Sequence, residues 1–380
     1  MANEITTEAP PGNAVVAQLS LLDRFLPVWI GLAMLIGIVL GKVFTGLDDT
    51  LDAVKIDTVS LPIAIGLLAM MYPVLAKVKY RSIGRVIDRR SLVMSLVLNW
   101  LIGPLLMFTL AWLLLPDLPE YRTGLIIVGL ARCIAMVLIW NDLACGSREL
   151  AAVLVAVNSV FQIVAYSLLG YFYLELLPSW LGLDSEGIDV TIWGITKSVL
   201  IFLGVPLLAG FLTRLILEPR KGTEWYEGTF LPRIGPIALY GLLFTIVILF
   251  ALQGGAITEN PWDVARIAIP LLVYFAIMWT GSFAAGLRMG FPYDRNASIA
   301  FTAAGNNFEL AIAVAISVFG VSSGQALAGV VGPLIEVPVL VGLVYVSLWA
   351  RRRYYPNNPT SGTAASTTDQ CVDTSKSDGA

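Results

Sequence analysis

The sequence predicts an all-α polytopic membrane protein of ten transmembrane helices, arranged as two inverted five-helix repeats. Hydrophobic residues make up 57% of the 380, charged residues only 13%, and the mean hydropathy is +0.79, a balance far from that of a soluble domain of this length. Apolar runs of spanning length recur along the chain. Two of these runs carry polar or reactive groups at their midpoints and fall in matching places of the two halves: Ala131-Arg132-Cys133 and Asn306-Asn307-Phe308-Glu309.

A helix needs about 20 apolar residues to cross a bilayer. The first series of runs is Arg24 to Lys42, Thr58 to Ala76, Ser91 to Leu115, Thr123 to Trp140 and Leu150 to Leu177. The second is Thr191 to Ile216, Ile234 to Gln253, Val264 to Leu287, Ser298 to Phe319 and Ala326 to Ala350. The starts at Thr58, Ser91, Thr123 and Leu150 recur at a nearly constant offset as Ile234, Val264, Ser298 and Ala326. Residues 21–177 and 191–350 therefore read as two repeats. An odd number of spans per repeat makes the second half enter the membrane upside down relative to the first. Cys133 and Glu309 are near mates under that symmetry.

Net charge is only -3, but the basic residues are unevenly placed. Lys77, Lys79, Arg81, Arg85, Arg89, Arg90, Arg148, Arg214, Arg220, Lys221, Arg233, Arg288, Arg295 and Arg351 to Arg353 fall on one side, against Lys42, Lys55 and Arg122 on the other. The positive-inside rule makes the basic side cytoplasmic and puts both termini there, in a multi-pass cell-membrane protein. Residues 1–20 lack a basic segment and an apolar core, so they read as a cytoplasmic segment and not a signal peptide. Residues 356–380, rich in Ser, Thr, Gly and Asp, read as a disordered tail. With three cysteines, one of them in that tail, no disulfide framework is expected.

An ionisable side chain at mid-bilayer costs roughly 2.5 to 3.5 kcal/mol on insertion scales, so Arg132 and Glu309 require a reason to be there. Paired interruptions in corresponding halves point to a midplane site built from broken helices, here the fourth and ninth spans. In the fourth, Gly129 precedes Arg132-Cys133. A helix restarting near Ala131 would put the Cys133 thiol in its first turn, beside a cation. The bland alternative for Cys133 is a small contact residue between helices. In the ninth, Gly305, Asn306 and Asn307 favour local unwinding, and their amides can satisfy freed backbone groups or serve as interhelical glue. Glu309 reads either as a proton-relay carboxyl or as the partner of Arg132 in a structural ion pair; the chain has no histidine for the first role.

Glu336, between Pro333 and Pro338, and Asn158 and Gln162, one turn apart in the fifth span, read as supporting residues behind the site. Asn141, Asp142 and Cys145 read as a solvated end of the fourth span. No Walker loop, metal-ligand spacing, serine-nucleophile elbow or dinucleotide fingerprint is present, so ATP hydrolysis, enzymatic chemistry, a cofactor and a nucleic-acid partner are not expected. A lone intramembrane thiol suits a soft metal or metalloid over sugars or hard ions, and a single sulfur suits passage over trapping.

The segments Met71 to Tyr80 (MYPVLAKVKY), Gly129 to Val137 (GLARCIAMV) with Trp140-Asn141-Asp142, Asn306 to Val314 (NNFELAIAV) and Gly332 to Val339 (GPLIEVPV) resemble the arsenite efflux transporters. These form the arsenical-resistance branch of the bile acid, arsenite and riboflavin transporter superfamily, and the resemblance runs from about Leu21 to Arg353. It implies crossed broken helices, a core moving against a panel, and export of arsenite, sometimes antimonite, driven by the proton gradient. It also implies that Cys133 and Glu309 match the family's essential cysteine and glutamate. Gly305 departs from it where serine is expected, and Cys145 and Cys371 match no required position. A partner ATPase docking on the loop from Lys77 to Arg90 is a further question the sequence leaves open. Two other readings remain: a sodium-coupled importer of an organic anion, using Asn306, Asn307 and Glu309 around a cation, and a membrane sensor that moves nothing.

Overall fold

The computed structural model describes residues 26–44, 55–56, 59–78, 88–134, 136–183, 191–259 and 261–356. The N-terminal 20 residues, Lys79, Arg81, Arg85, Cys371 and nearly all of the tail lie outside them. Among the described residues there are twelve helices and one hairpin of two-residue strands, Lys55–Ile56 with Val59–Ser60. The helices are α1 (Leu26–Val43), α2 (Leu61–Ala76), α3 (Arg89–Leu114), α4 (Pro119–Leu130), α5 (Met136–Leu143), α6 (Arg148–Trp180), α7 (Ile192–Lys221), α8 (223–259), α9 (Pro261–Arg288), α10 (Tyr293–Ala304), α11 (Phe308–Phe319) and α12 (Gly324–Tyr354). Six of them, α3, α6, α7, α8, α9 and α12, are long and apolar enough to cross a membrane.

Local sequence explains where these helices start and bend. Asp88 accepts the Ser91 N–H at 2.8 Å at the head of α3, and Ser147, Thr191 and Ser323 cap α6, α7 and α12 in the same way. Wide π turns interrupt the helical run at Leu98–Ile102, Phe172–Leu176, Leu200–Gly204 and Tyr226–Phe230. Each ends two residues before a proline: Pro104, Pro178, Pro206 and Pro232. Proline lacks an N–H and its ring clashes with the preceding turn, so a widened turn lets the helix continue past it. At the end of α11 the chain turns through Gly320 at φ 93°, a conformation other residues adopt at a cost.

The helices pack in two groups. α8 lies against α1 and α2, and α7 against α2; α3 to α6 and α9 to α12 form the second group, with α9 against α10, α12 and α3, and α12 against α4 and α11. Small residues set the first group's distances, as expected where lipid removes the hydrophobic drive between helices. A Cβ at Gly37 would lie 2.6 Å from that of Phe250, one at Gly210 2.8 Å from the α2 backbone, and one at Gly241 2.9 Å from the Gly66 carbonyl.

Charged groups gather at the helix ends. At the basic end Arg214, on α7, donates to Glu218 and Glu227 at 2.9 Å and to the Lys77 carbonyl at 3.1 Å, while Tyr226 donates to the Ala76 carbonyl at 3.0 Å. There too Arg295 pairs with Asp88 at 3.3 Å and Arg148 with Asp142 at 2.9 Å. At the opposite end Arg266 grips both oxygens of Asp117, holding that carboxyl down at about 2 through its hydrogen bonds, and Glu120 accepts the Gly324 N–H at 2.9 Å.

Several boundaries differ from the sequence expectation. The sixth and tenth spans run on to Lys221 and Tyr354, since basic side chains in the last turn stabilise a helix end and reach toward water. Asn141 is fully buried and not in a solvated end: its Oδ1 accepts Ser298 Oγ at 2.7 Å.

Gly241→Val is expected to destabilise the protein by about 1–3 kcal/mol through overpacking against α2. Thermal unfolding of the detergent-purified variant beside the native chain checks it; an unchanged midpoint would mean the contact yields freely.

Candidate functional site

The interruptions foreseen in the fourth and ninth spans are present and meet each other. α4 stops at Leu130 and α5 begins at Met136; α10 stops at Ala304 and α11 begins at Phe308. Between them Arg132 and Asn306 form an isolated antiparallel bridge, with Cys133 N–H donating to the Gly305 carbonyl at 3.3 Å and Asn307 N–H to the Ala131 carbonyl at 3.0 Å. Residues 131–133 are held extended by that pairing, so α5 restarts later than Ala131 and Cys133 precedes its first turn.

Arg132 is fully buried, and its guanidinium is not held by a carboxylate. Nη1 donates to Tyr274 Oη at 2.9 Å and Nη2 to the Gly129 carbonyl, one of the unpaired carbonyls at the end of α4. That end carries the negative pole of the helix dipole and suits a cation. No ion pair joins Arg132 to Glu309 among the described residues, so the pairing considered for them is absent. Glu309, half-buried, opens the first turn of α11 two residues after Asn307.

The supporting residues contact the backbone of the breaks directly. Gln162 Oε1, on α6, accepts the Arg132 N–H, and Glu336 Oε1, on α12, accepts the Asn306 N–H at 3.2 Å. Asn158 Oδ1 accepts Trp100 Nε1 at 3.1 Å; Asn307 Oδ1 caps α11 by accepting the Leu310 N–H at 3.0 Å. Gly305 faces Cys133, and a Cβ there would lie 3.0 Å from the cysteine Cβ and 3.6 Å from its sulfur. Glycine in place of the expected serine thus keeps the space beside the thiol open.

Tyr274, on α9, was not foreseen. Its hydroxyl accepts from Arg132 and donates to Asn306 Oδ1 at 3.4 Å, tying the two breaks together. A tyrosine hydroxyl in mid-span was the available signal, since buried phenols are rarely left unpaired. Several buried atoms at the crossing have no partner: Arg132 Nε, Asn158 Nδ2, Gln162 Nε2, Asn306 Nδ2 and Asn307 Nδ2. An unmet buried donor costs about 1–3 kcal/mol, so a cluster of five is a place where a ligand would repay binding. Among the described residues no cluster of ligating side chains could hold a resident metal.

Apolar helices of membrane length around two broken helices that cross at a buried polar centre define a multi-pass membrane transporter. The sequence pattern of the Sodium Bile acid symporter family matches residues 64–260. The chain is 55% identical to the arsenical-resistance protein Acr3 of Corynebacterium glutamicum, over 98% of this chain and 100% of the relative. It is 31% identical to the Acr3 protein of Alkaliphilus metalliredigens, over 86% of this chain and 92% of that one, and 36% identical to an uncharacterized transporter of Synechocystis, over 96% and 97%. The chain therefore belongs to the sodium bile acid symporter family, among its arsenical-resistance transporters.

Tyr274→Phe is expected to destabilise the protein by about 1–3 kcal/mol, because Arg132 Nη1 loses its acceptor in a buried setting. The loss reads as a lowered unfolding midpoint of the purified protein; a variant as stable as the native chain would show that the guanidinium finds another partner.

Proposed function

We propose that the chain exports arsenite from the cytoplasm as a secondary transporter, with antimonite as a second cargo and inward proton flow as the driving force. The observation that carries this reading is the buried Cys133 thiol, set at the crossing beside the open face of Gly305. A soft sulfur selects thiophilic species. The names of the Corynebacterium and Alkaliphilus relatives support the same cargo.

Arsenous acid, neutral at pH 7, enters from the cytoplasmic side. An arsenic–oxygen bond breaks and an arsenic–sulfur bond forms at Cys133, the thiol proton leaving with the hydroxyl as water. Attack of water on the arsenic reverses the exchange and releases the oxyacid. Glu309, which has no ion pair with Arg132, is free to carry the proton: taken up from outside, it disturbs the site and is returned inward after release. Arg132, Asn306 and Asn307 orient the cargo.

The same reading takes the chain as ten spans in two inverted repeats, residues 21–177 and 191–350, with both termini cytoplasmic. Supporting the repeat, Gln162 accepts from Arg132 and Glu336 from Asn306, thirty residues apart in each case and from corresponding helices, α6 and α12. Supporting the orientation, the described basic residues cluster at one end. A sodium-coupled importer of an organic anion is the second reading, favoured by the family's description but leaving the thiol without a role.

In everted membrane vesicles under an imposed proton gradient, the native chain is expected to accumulate arsenite, and Cys133→Ser and Glu309→Gln to lose that accumulation while remaining in the membrane. Undiminished uptake by Cys133→Ser would sink the sulfur-ligand account; sodium-dependent uptake of an organic anion instead would install the second reading.

A further inference from the structure

Three carboxamides at the crossing, those of Gln162, Asn306 and Asn307, and that of Asn158 one turn before Gln162 on α6, are all used in the same way. The oxygen of each is engaged: Asn158 Oδ1 by Trp100 Nε1, Gln162 Oε1 by the Arg132 N–H, Asn306 Oδ1 by the Tyr274 hydroxyl, and Asn307 Oδ1 by the Leu310 N–H. The nitrogen of each is buried and without a partner. All four side chains belong to residues at most 2% exposed. Three of these orientations are fixed by N–H partners, which need an oxygen opposite them, and the Asn306 oxygen takes the hydroxyl proton of Tyr274, whose oxygen already accepts from Arg132.

A site lined in this way offers donors where a bare cation needs acceptors. We propose that the four amide nitrogens form a donor array that recognises the oxygen atoms of an oxyacid bound at Cys133, and that Gln162 is its specificity-determining member. The proposal rests on the export reading above. Gln162 is singled out because its headgroup holds the peptide N–H of Arg132, the residue before Cys133. Its counterpart Glu336 performs the same acceptor duty toward Asn306 with a carboxylate. The acceptor role therefore does not explain an amide at position 162; a donor role does. In the bound species one arsenic hydroxyl has been exchanged for sulfur, and the remaining hydroxyl oxygens accept from the array. The array also disfavours sodium, because the unpartnered end of each carboxamide is its N–H donor and not its oxygen.

The test is a binding titration of the purified full-length chain in lipid nanodiscs, read by intrinsic tryptophan fluorescence, with potassium arsenite, methylarsonous acid and sodium chloride as probes. Gln162→Glu keeps an acceptor for the Arg132 N–H and removes the amide donor; Gln162→Leu removes both. Both variants are expected to weaken arsenite binding about tenfold, equivalent to about 1.4 kcal/mol. Both should weaken methylarsonous acid, which has one hydroxyl fewer, by a smaller factor. Native-like arsenite affinity in Gln162→Glu, with a loss confined to Gln162→Leu, would reduce Gln162 to a backbone-positioning residue and overturn the proposal. Equal losses for the two arsenicals would overturn it as well, and Gln162→Glu decides the question alone if Gln162→Leu does not fold. A native chain that binds neither arsenical, with or without sodium, overturns the export reading and the array together.

Discussion

The crossing of the two broken helices depends on one constraint: in the apolar interior of a bilayer no backbone polar group can be left to water. Breaking a helix there frees several such groups, and the structure accounts for the N–H of residues 131–133 and 305–307. Ala131 and Gly305 still donate back into their own helices, to Val128 and Phe301. Arg132 and Asn306 donate to side chains from the supporting helices. Cys133 and Asn307 donate across to the opposite break. Each interruption is thus tolerable only because the other exists, so the site is a joint product of the two halves.

This dependence explains what the sequence made legible. Gly129 and the Gly305-Asn306-Asn307 run marked the breaks because glycine and asparagine weaken a helix, and Arg132 marked the depth because a charge there demands compensation. What the sequence could not show was the identity of the compensating groups. Arg132 and Glu309 invite pairing on charge alone, yet the guanidinium is satisfied by a phenol and a helix-end carbonyl. Tyr274 was hidden among the aromatics of an apolar run, and Asn141 among residues that read as a solvated end, because hydrogen bonds across more than a hundred residues leave no local periodicity. The start of α5 was misjudged for a related reason. Extended backbone at 131–133 is imposed by a strand-like partner from the other half, which local propensity does not contain.

Many of the polar contacts among the described residues fall within one group of helices or the other. Tyr72 with Thr213, the Arg214 cluster and the Tyr226 bond lie inside the group of α1, α2, α7 and α8. The contacts of Arg132, Gln162, Tyr274, Glu336, Tyr293 and Ser298 lie inside the other. Where the groups meet, α6 faces α7 with apolar side chains: Gly170 lies under Ile195, and a groove beside them is lined by Val160, Ile163, Leu200 and Leu207.

Such an interface has a mechanical consequence. Displacing one packed apolar surface along another exchanges dispersion contacts of similar strength, whereas displacing a hydrogen-bonded surface leaves buried donors and acceptors unmet at about 1–3 kcal/mol each. Movement along this α6–α7 surface is therefore less costly than movement within the crossing, where the backbone and side-chain bonds are concentrated. On the export reading proposed above, a ligand at Cys133 would sit in a centre held rigid by these bonds, and the residues that bind it need not rearrange to let it through. The same division explains why the centre can carry unmet amide donors without collapsing. Their oxygens anchor all four side chains to tryptophan, tyrosine and backbone groups of the same group of helices, so the nitrogens stay in place for an incoming oxygen.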